Sequence, residues 1–126
     1  VDIEDRIELL QLPGRYGDII DNKEWSRLGE IFTSDATFVV NSRRADTLAG
    51  IVEFMAIEPR HPLTHLMVNV YADEVDGETV LHSRAITMQP GGTMTSGRYR
   101  DLVVKTPDGW RIKARHFAST PLTRDA

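Results

Sequence analysis

Helical periodicity confined to the N-terminal half, followed by long alternating strands, predicts an α+β fold with a strongly curved, mostly antiparallel sheet. Three turn signals divide the strand-rich half: Asp76-Gly77, Pro90-Gly91-Gly92 and Asp108-Gly109. The chain has 126 residues, 40% of them hydrophobic and 27% charged, which suits one domain over residues 1–126 without linkers or repeats. Three N-terminal helices are too few to cover both faces of such a sheet. One face is expected to close on the helices as a cone-shaped barrel enclosing one pocket. The other is expected to pack against another subunit, because an exposed face of that size is a liability.

Asp2 to about Ile20 reads as the first helix, with Asp2 as its cap and Glu4 and Asp5 complementing its positive end. Its apolar stripe runs Ile3, Ile7, Leu10, Gly14, Gly17 and ends at Asp21. Pro13-Gly14 predicts a kink or a break. Asp21-Asn22 opens a second helix with Trp25, Leu28, Ile31 and Phe32 on its apolar face. Asp35 to Val40 is the first strand, Asn41 to Asp46 a polar loop, and Thr47 to Ala49 a short return strand. Gly50 to Met55 is a third helix, ended by Pro59. Strands follow over Leu63–Ala72, Thr79–Gln89, Met94–Lys105 and Trp110–Ala118.

Net charge is −4, with no basic stripe to neutralise phosphates, so nucleic-acid binding is not expected. The absence of cysteine removes disulfides and thiol catalysis. No apolar run approaches the ~20 residues of a membrane span, and the acidic start Val1-Asp2-Ile3-Glu4-Asp5 lacks the regions of a signal peptide. A cytoplasmic protein is the expectation. No His/Asp/Glu spacing suggests a metal site, and no glycine loop or serine elbow suggests a phosphate site or a nucleophile, so neither metal nor cofactor is expected.

A carboxylate ending an apolar stripe stands either on the rim in water or inside with a partner. Asp21 therefore either caps the next helix or faces a pocket, and His65 is the candidate partner. An aspartate holding an imidazole in an apolar pocket equips a site for proton transfer. Alternation places His65, Met67 and Asn69 on one face, opposite Thr64, Leu66, Val68 and Val70. The first set suits a pocket wall. Tyr16 lies five residues before Asp21, about 140° around an ideal helix, so it reaches the same cavity only if that cavity is wide. A packed tyrosine with its hydroxyl at the surface is the alternative.

The run Arg15-Tyr16-Gly17-Asp18-Ile19-Ile20-Asp21, then Trp25-Ser26-Arg27-Leu28, then Ile31 to Phe38, resembles the SnoaL-like branch of the nuclear-transport-factor-like superfamily. Thr64 to Asn69, Gly97-Arg98-Tyr99-Arg100-Asp101 and Asp108-Gly109-Trp110-Arg111-Ile112 continue the likeness. The resemblance implies a cone of curved sheet around helices and one deep pocket, on a fold that serves both enzymes and non-enzymes. In its scytalone-dehydratase-like and bile-acid-dehydratase-like members a Tyr and an Asp on the first helix meet a strand His. Tyr16, Asp21 and His65 match those positions.

The function expected is a cofactor-free, dehydratase-like lyase or an isomerase of a hydrophobic oxygenated small molecule, steroid-like or polyketide-like. His65, Asp21 and Tyr16 would be its catalytic groups. Trp25, Phe38, Phe54, Met67, Asn69, Arg84, Tyr99 and His116 are the candidate substrate contacts. His61 and His82 read as solvent-exposed, and Asp101 as structural, paired with an arginine on a neighbouring strand. A non-catalytic ligand-binding or oligomerisation module is the alternative. Epoxide hydrolysis by an Asp-Arg-Asp set, built on Arg98 or Arg100 with Asp101, is a third reading. A homo-oligomer is expected, and the resemblance leans to a trimer over a dimer.

Overall fold

The computed structural model describes residues 1–122; the last four residues of the expected domain, 123–126, lie outside them. Helix α1 spans Ile3–Asp21. Asp2 caps it by accepting the Asp5 N–H at 2.8 Å, while Asp5 accepts the Asp2 N–H at 3.1 Å, a reciprocal capping box. Of the kink or break expected at Pro13, the break does not occur: one helix continues through it and buries the ring. A proline there leaves one i−4 bond unmade, a loss the packed ring helps to offset.

The predicted stripe is also corrected. Ile3, Ile7 and Leu10 are exposed, and the buried face carries Leu9, Leu12, Tyr16, Ile19 and Ile20. The helix holds two apolar stripes, and the one with the bulkier side chains takes the core. Gly17 and Asp21, at the end of the predicted stripe, do turn toward the sheet, where α1 packs chiefly on strand β3 (Thr64–Val75).

The second helical segment is a 3₁₀ helix, Trp25–Glu30, within which Leu28 is buried. Its tighter winding stops before Ile31, and Phe32 opens strand β1, Phe32–Val40. Asn41 takes a left-handed φ of 54° and turns the chain at once, so strand β2 is Arg43–Asp46, where a polar loop is expected from sequence. Thr47, expected in a return strand, instead caps helix α2, Leu48–Ile57, accepting the Gly50 N–H at 3.1 Å. Strands β4 (Glu78–Met88), β5 (Met94–Thr106) and β6 (Gly109–Thr120) complete the chain. Asp76 and Gly77 both have positive φ, the requirement of a type I′ hairpin.

The six strands run β2-β1-β6-β5-β4-β3, all pairs antiparallel except β1–β6. The sheet wraps around the helices as a cone but does not close, since β2 and β3 remain edges. Between its inner face and α1 lies the core, with Leu9, Ile19, Phe32, Leu81, Val103 and Ile112 among its members. No described helix is long and apolar enough to cross a membrane.

Of the three register shifts in the sheet, one falls on β1 between Phe32 and Thr37, and the other two reorient candidate site residues. One lies between Val68 and Tyr71 on β3, where Asn69 has φ 54°; the other lies on β6 between Ile112 and Ala114. Each inserts one residue and reverses the in–out alternation beyond it.

Candidate functional site

Asp21 is the last residue of α1 and His65 the second of β3. They meet because Gly17 lets the helix lie close to the strand. A Cβ at that position would sit 3.2 Å from Met67 Cγ and 3.5 Å from His65 Cβ. His65 Nδ1–H donates to Asp21 Oδ1 at 2.6 Å, and the His65 backbone N–H donates to Asp21 Oδ2 at 2.9 Å. The Thr64 hydroxyl approaches the same Oδ2 at 3.4 Å. The two side chains are only 6% and 16% exposed, for His65 and Asp21 respectively. Both carboxylate oxygens thus hold His65, one by its ring and one by its backbone. The ring is oriented, its Nδ1–H tautomer is selected, and Nε2 is left as the nitrogen free to act.

His65 forms part of the wall of a cavity of about 290 Å³. Tyr16, Tyr99, Phe38, Phe54, Phe117 and Met55 are among its apolar and aromatic lining. Arg43, Glu58, Arg60 and His61 also border it, as do Thr87, Gln89, Thr95 and Ser119. Among the latter, the Thr87 and Thr95 hydroxyls bond one another, and Gln89 donates to Thr87 at 3.2 Å. Arg43 pairs with Glu58 at 3.0 Å and lies over the Phe54 ring. Asp21 stands behind His65, outside the lining.

Beneath the aromatic wall is a second ion pair. Arg115 and Asp101 face one another across β6 and β5, their side chains fully buried, bonded at 2.8 and 3.0 Å through both carboxylate oxygens. The guanidinium carbon lies 4.2 Å from the Tyr16 ring centre and 3.9 Å from that of Tyr99. Burial works against the Arg115 charge, but the Asp101 carboxylate outweighs it and holds the guanidinium above its ordinary range. Burial likewise raises both phenols, and the Arg115 charge opposes that rise.

Of the sequence-predicted residues, Tyr16, His65, Phe38, Phe54 and Tyr99 are brought together on the cavity. Trp25 is not on its wall; it packs against His61 with the rings tilted and their centres 5.0 Å apart. Met67 packs under Gly17. Asn69, Arg84 and His116 are corrected outright. Asn69 and Arg84 border a groove with Tyr71, His82 and Arg98, away from the candidate cavity, and the exposed His116 borders another with Val80 and Leu102. Asn69 occupies the β3 bulge, and His116 lies past the β6 bulge, so strict alternation from Trp110 assigns it to the wrong face. Arg84 sits opposite Arg98, while its neighbours Ser83 and Ala85 point inward. His61 and His82 are half-buried rather than exposed. His61 donates to the Met55 carbonyl at 2.7 Å, and His82 pairs with Asp73 at 3.3 Å and stacks on Tyr71.

Asp101 points inward to Arg115, while Arg98 and Arg100 are exposed, so no Asp-Arg-Asp set assembles from them in the cavity. Sequence reasoning misses Phe117, Ser119 and Arg43 as lining residues. The first two lie beyond the β6 bulge, and the third lies in a strand expected to be loop. Among the described residues no three His, Asp or Glu side chains converge as metal ligands.

A model of the SnoaL-like domain matches residues 1–116. An uncharacterized protein of Mycobacterium tuberculosis is 31% identical over 127 residues, spanning 90% of this chain and 84% of its own. The anthranilate 1,2-dioxygenase small subunit of Burkholderia cepacia is 26% identical over 138 residues, spanning 90% and 86%. Among solved structures, an NTF2-like protein with a cystatin-like fold from Novosphingobium aromaticivorans superposes with a TM-score of 0.81. That match is 20% identical and covers 96% of this chain and 85% of the other, a likeness of fold.

Proposed function

The chain belongs to the SnoaL-like domain family, and we propose that within it this protein is a cofactor-free lyase or isomerase of a hydrophobic, oxygenated small molecule. One observation carries the reading: His65 has its Nδ1 held by Asp21 at 2.6 Å and stands in the wall of an aromatic cavity. In that setting Nε2 removes a proton from the carbon beside a ligand carbonyl. The imidazolium so formed is stabilised by Asp21. Tyr16 donates to the carbonyl oxygen, and in a dehydration the β-hydroxyl leaves as water, taking its proton from the imidazolium. The carbon–hydrogen and carbon–oxygen bonds broken are balanced by the new carbon–carbon double bond and the water released. Proton transfer of this kind contributes roughly 10²–10⁴-fold, and orientation in a dry pocket adds to it. An Asp–His pair suits this elimination better than a carboxylate base with a carboxylic-acid oxyanion hole, the isomerase arrangement.

The test is a panel of cyclic β-hydroxy ketones, scored first by thermal stabilisation of the protein and then by the ultraviolet absorption of the conjugated enone. Binding with enone formation that is lost in His65→Ala and Asp21→Asn supports the proposal. Binding without turnover assigns the chain to a small-ligand-binding or assembly module, the reading that likeness to a dioxygenase small subunit favours. We also propose a homo-oligomer formed through the outer sheet face, where Leu66 and Tyr71 are half exposed. Sedimentation equilibrium should give a multiple of 14.2 kDa, and a monomer at high concentration would remove this part.

A further inference from the structure

We propose that Asp101 and Arg115 form a positioning pair that polarises the Tyr16 and Tyr99 phenols, so that this wall of the cavity binds ligand oxygens carrying negative charge. The ligands would be the conjugate bases of enols and phenols. The inference rests on the proton-transfer reading above, because removal of a proton at His65 leaves such an oxygen.

A buried ion pair is a poor way to hold two strands together. Its desolvation cost is commonly matched or exceeded by what apolar side chains of similar volume provide. Here the cost is larger still, since Arg115 Nη1 is buried with no partner of its own. The geometry points to another use. The guanidinium lies over both tyrosine rings, within 4.2 Å of each ring centre, and both rings form part of the cavity wall. A cation on a ring face draws electron density from the ring and so from its hydroxyl oxygen, which makes the O–H a better donor to an anion. Asp101 accepts from Nε and Nη2 of the guanidinium and fixes its place, and its own push on the phenols is weaker than the pull of Arg115. The two rings meet edge to face at 5.9 Å, and Tyr16 stands 6.4 Å from the His65 ring. One small ligand can therefore present its oxygen to the phenols and its acidic carbon to His65.

The test uses 4-nitrophenol, whose colour reports its ionisation, and nitrobenzene as the neutral probe that lacks the hydroxyl. At one fixed neutral pH the wild-type protein should bind 4-nitrophenol in its phenolate form, about tenfold or more tighter than nitrobenzene. The double variant Asp101→Leu/Arg115→Met should lose that preference while still binding nitrobenzene, a difference that a purely structural role would not produce. Tyr99→Phe, which keeps the ring over Arg115 and removes one donor, should weaken the preference in a fold that needs no repacking. The inference is overturned if the wild type binds the neutral phenol, binds neither form, or if both variants keep the wild-type preference. No turnover is read. A phenolate site without His65-dependent chemistry therefore removes the catalytic reading alone, and His65-dependent chemistry without a phenolate site removes this inference alone.

Discussion

Replacing Asp21 by asparagine should change which nitrogen of His65 carries the proton, and the reason lies in the backbone. Asp21 offers two acceptors, one to His65 Nδ1–H at 2.6 Å and one to the His65 main-chain N–H at 2.9 Å. Asparagine has a single acceptor. The main-chain N–H is always a donor and is half-buried, so it claims the amide oxygen. The amide NH₂ then faces Nδ1, which must become an acceptor, and the proton moves to Nε2. An imidazole protonated at Nε2 has no lone pair for a ligand proton. Turnover should fall by about 10²–10⁴-fold, the full value of the base. Loss of one charge-assisted hydrogen bond should destabilise the fold by roughly 1.5–3 kcal/mol. Nitrogen-15 NMR of the histidine rings reads the tautomer without any substrate. The wild type should show the Nδ1–H form for His65 and Asp21→Asn the Nε2–H form. An unchanged tautomer would refute the reasoning, whatever the variant's activity.

Three further outcomes follow from the same geometry. Gly17→Val should destabilise the protein by about 1–3 kcal/mol in a denaturant melt and loosen the His65 contact. A wild-type midpoint would show that α1 does not depend on the missing Cβ to reach β3. Arg115→Met alone should cost about 3–5 kcal/mol, because it leaves Asp101 as an unpaired buried charge. Adding Asp101→Leu should recover most of that loss in the same melt, and equal losses in both variants would contradict it. Tyr16 and Tyr99 have raised folded-state ionisation, so the folded protein holds those protons where the unfolded chain releases them. Their contribution is complete below about pH 10 and is lost as the pH rises through the folded values. Absorbance titration should show two of the three tyrosines ionising late, with stability falling on the alkaline side.

The elements that a sequence encodes locally were readable: the Asp2 cap, the Asp76-Gly77 hairpin and the order of helices before long strands. The Asp21–His65 pairing was readable only in part. A polar residue ending an apolar stripe signals a partner, but that stripe proved to be the exposed one over Ile3, Ile7 and Leu10. What placed Asp21 was Gly17 and the contact with β3, a tertiary fact. The errors at Asn69 and His116 share one cause. A bulge shifts alternation by a single residue, and nothing in local hydrophobicity marks the shift at β6. Asn69 did carry a signal, since asparagine tolerates the left-handed φ that a bulge can require. Arg43 was hidden because a polar run reads as loop whether or not it pairs as an edge strand. Asp101 was legible as a structural residue paired with an arginine on a neighbouring strand, and the structure gives that arginine as Arg115. The pair's position against two cavity tyrosines depends on register, which the sequence does not display.

The central claim is that His65, held by Asp21, moves protons to and from a ligand in the aromatic cavity. Its most direct measurement is solvent-deuterium incorporation, followed by NMR, into a cyclic ketone shown by thermal stabilisation to bind. The wild type should place deuterium on the carbon beside the carbonyl, and His65→Ala, still folded and still binding, should fall to the rate in buffer alone. Equal incorporation by the two proteins, or none by either, would contradict the account.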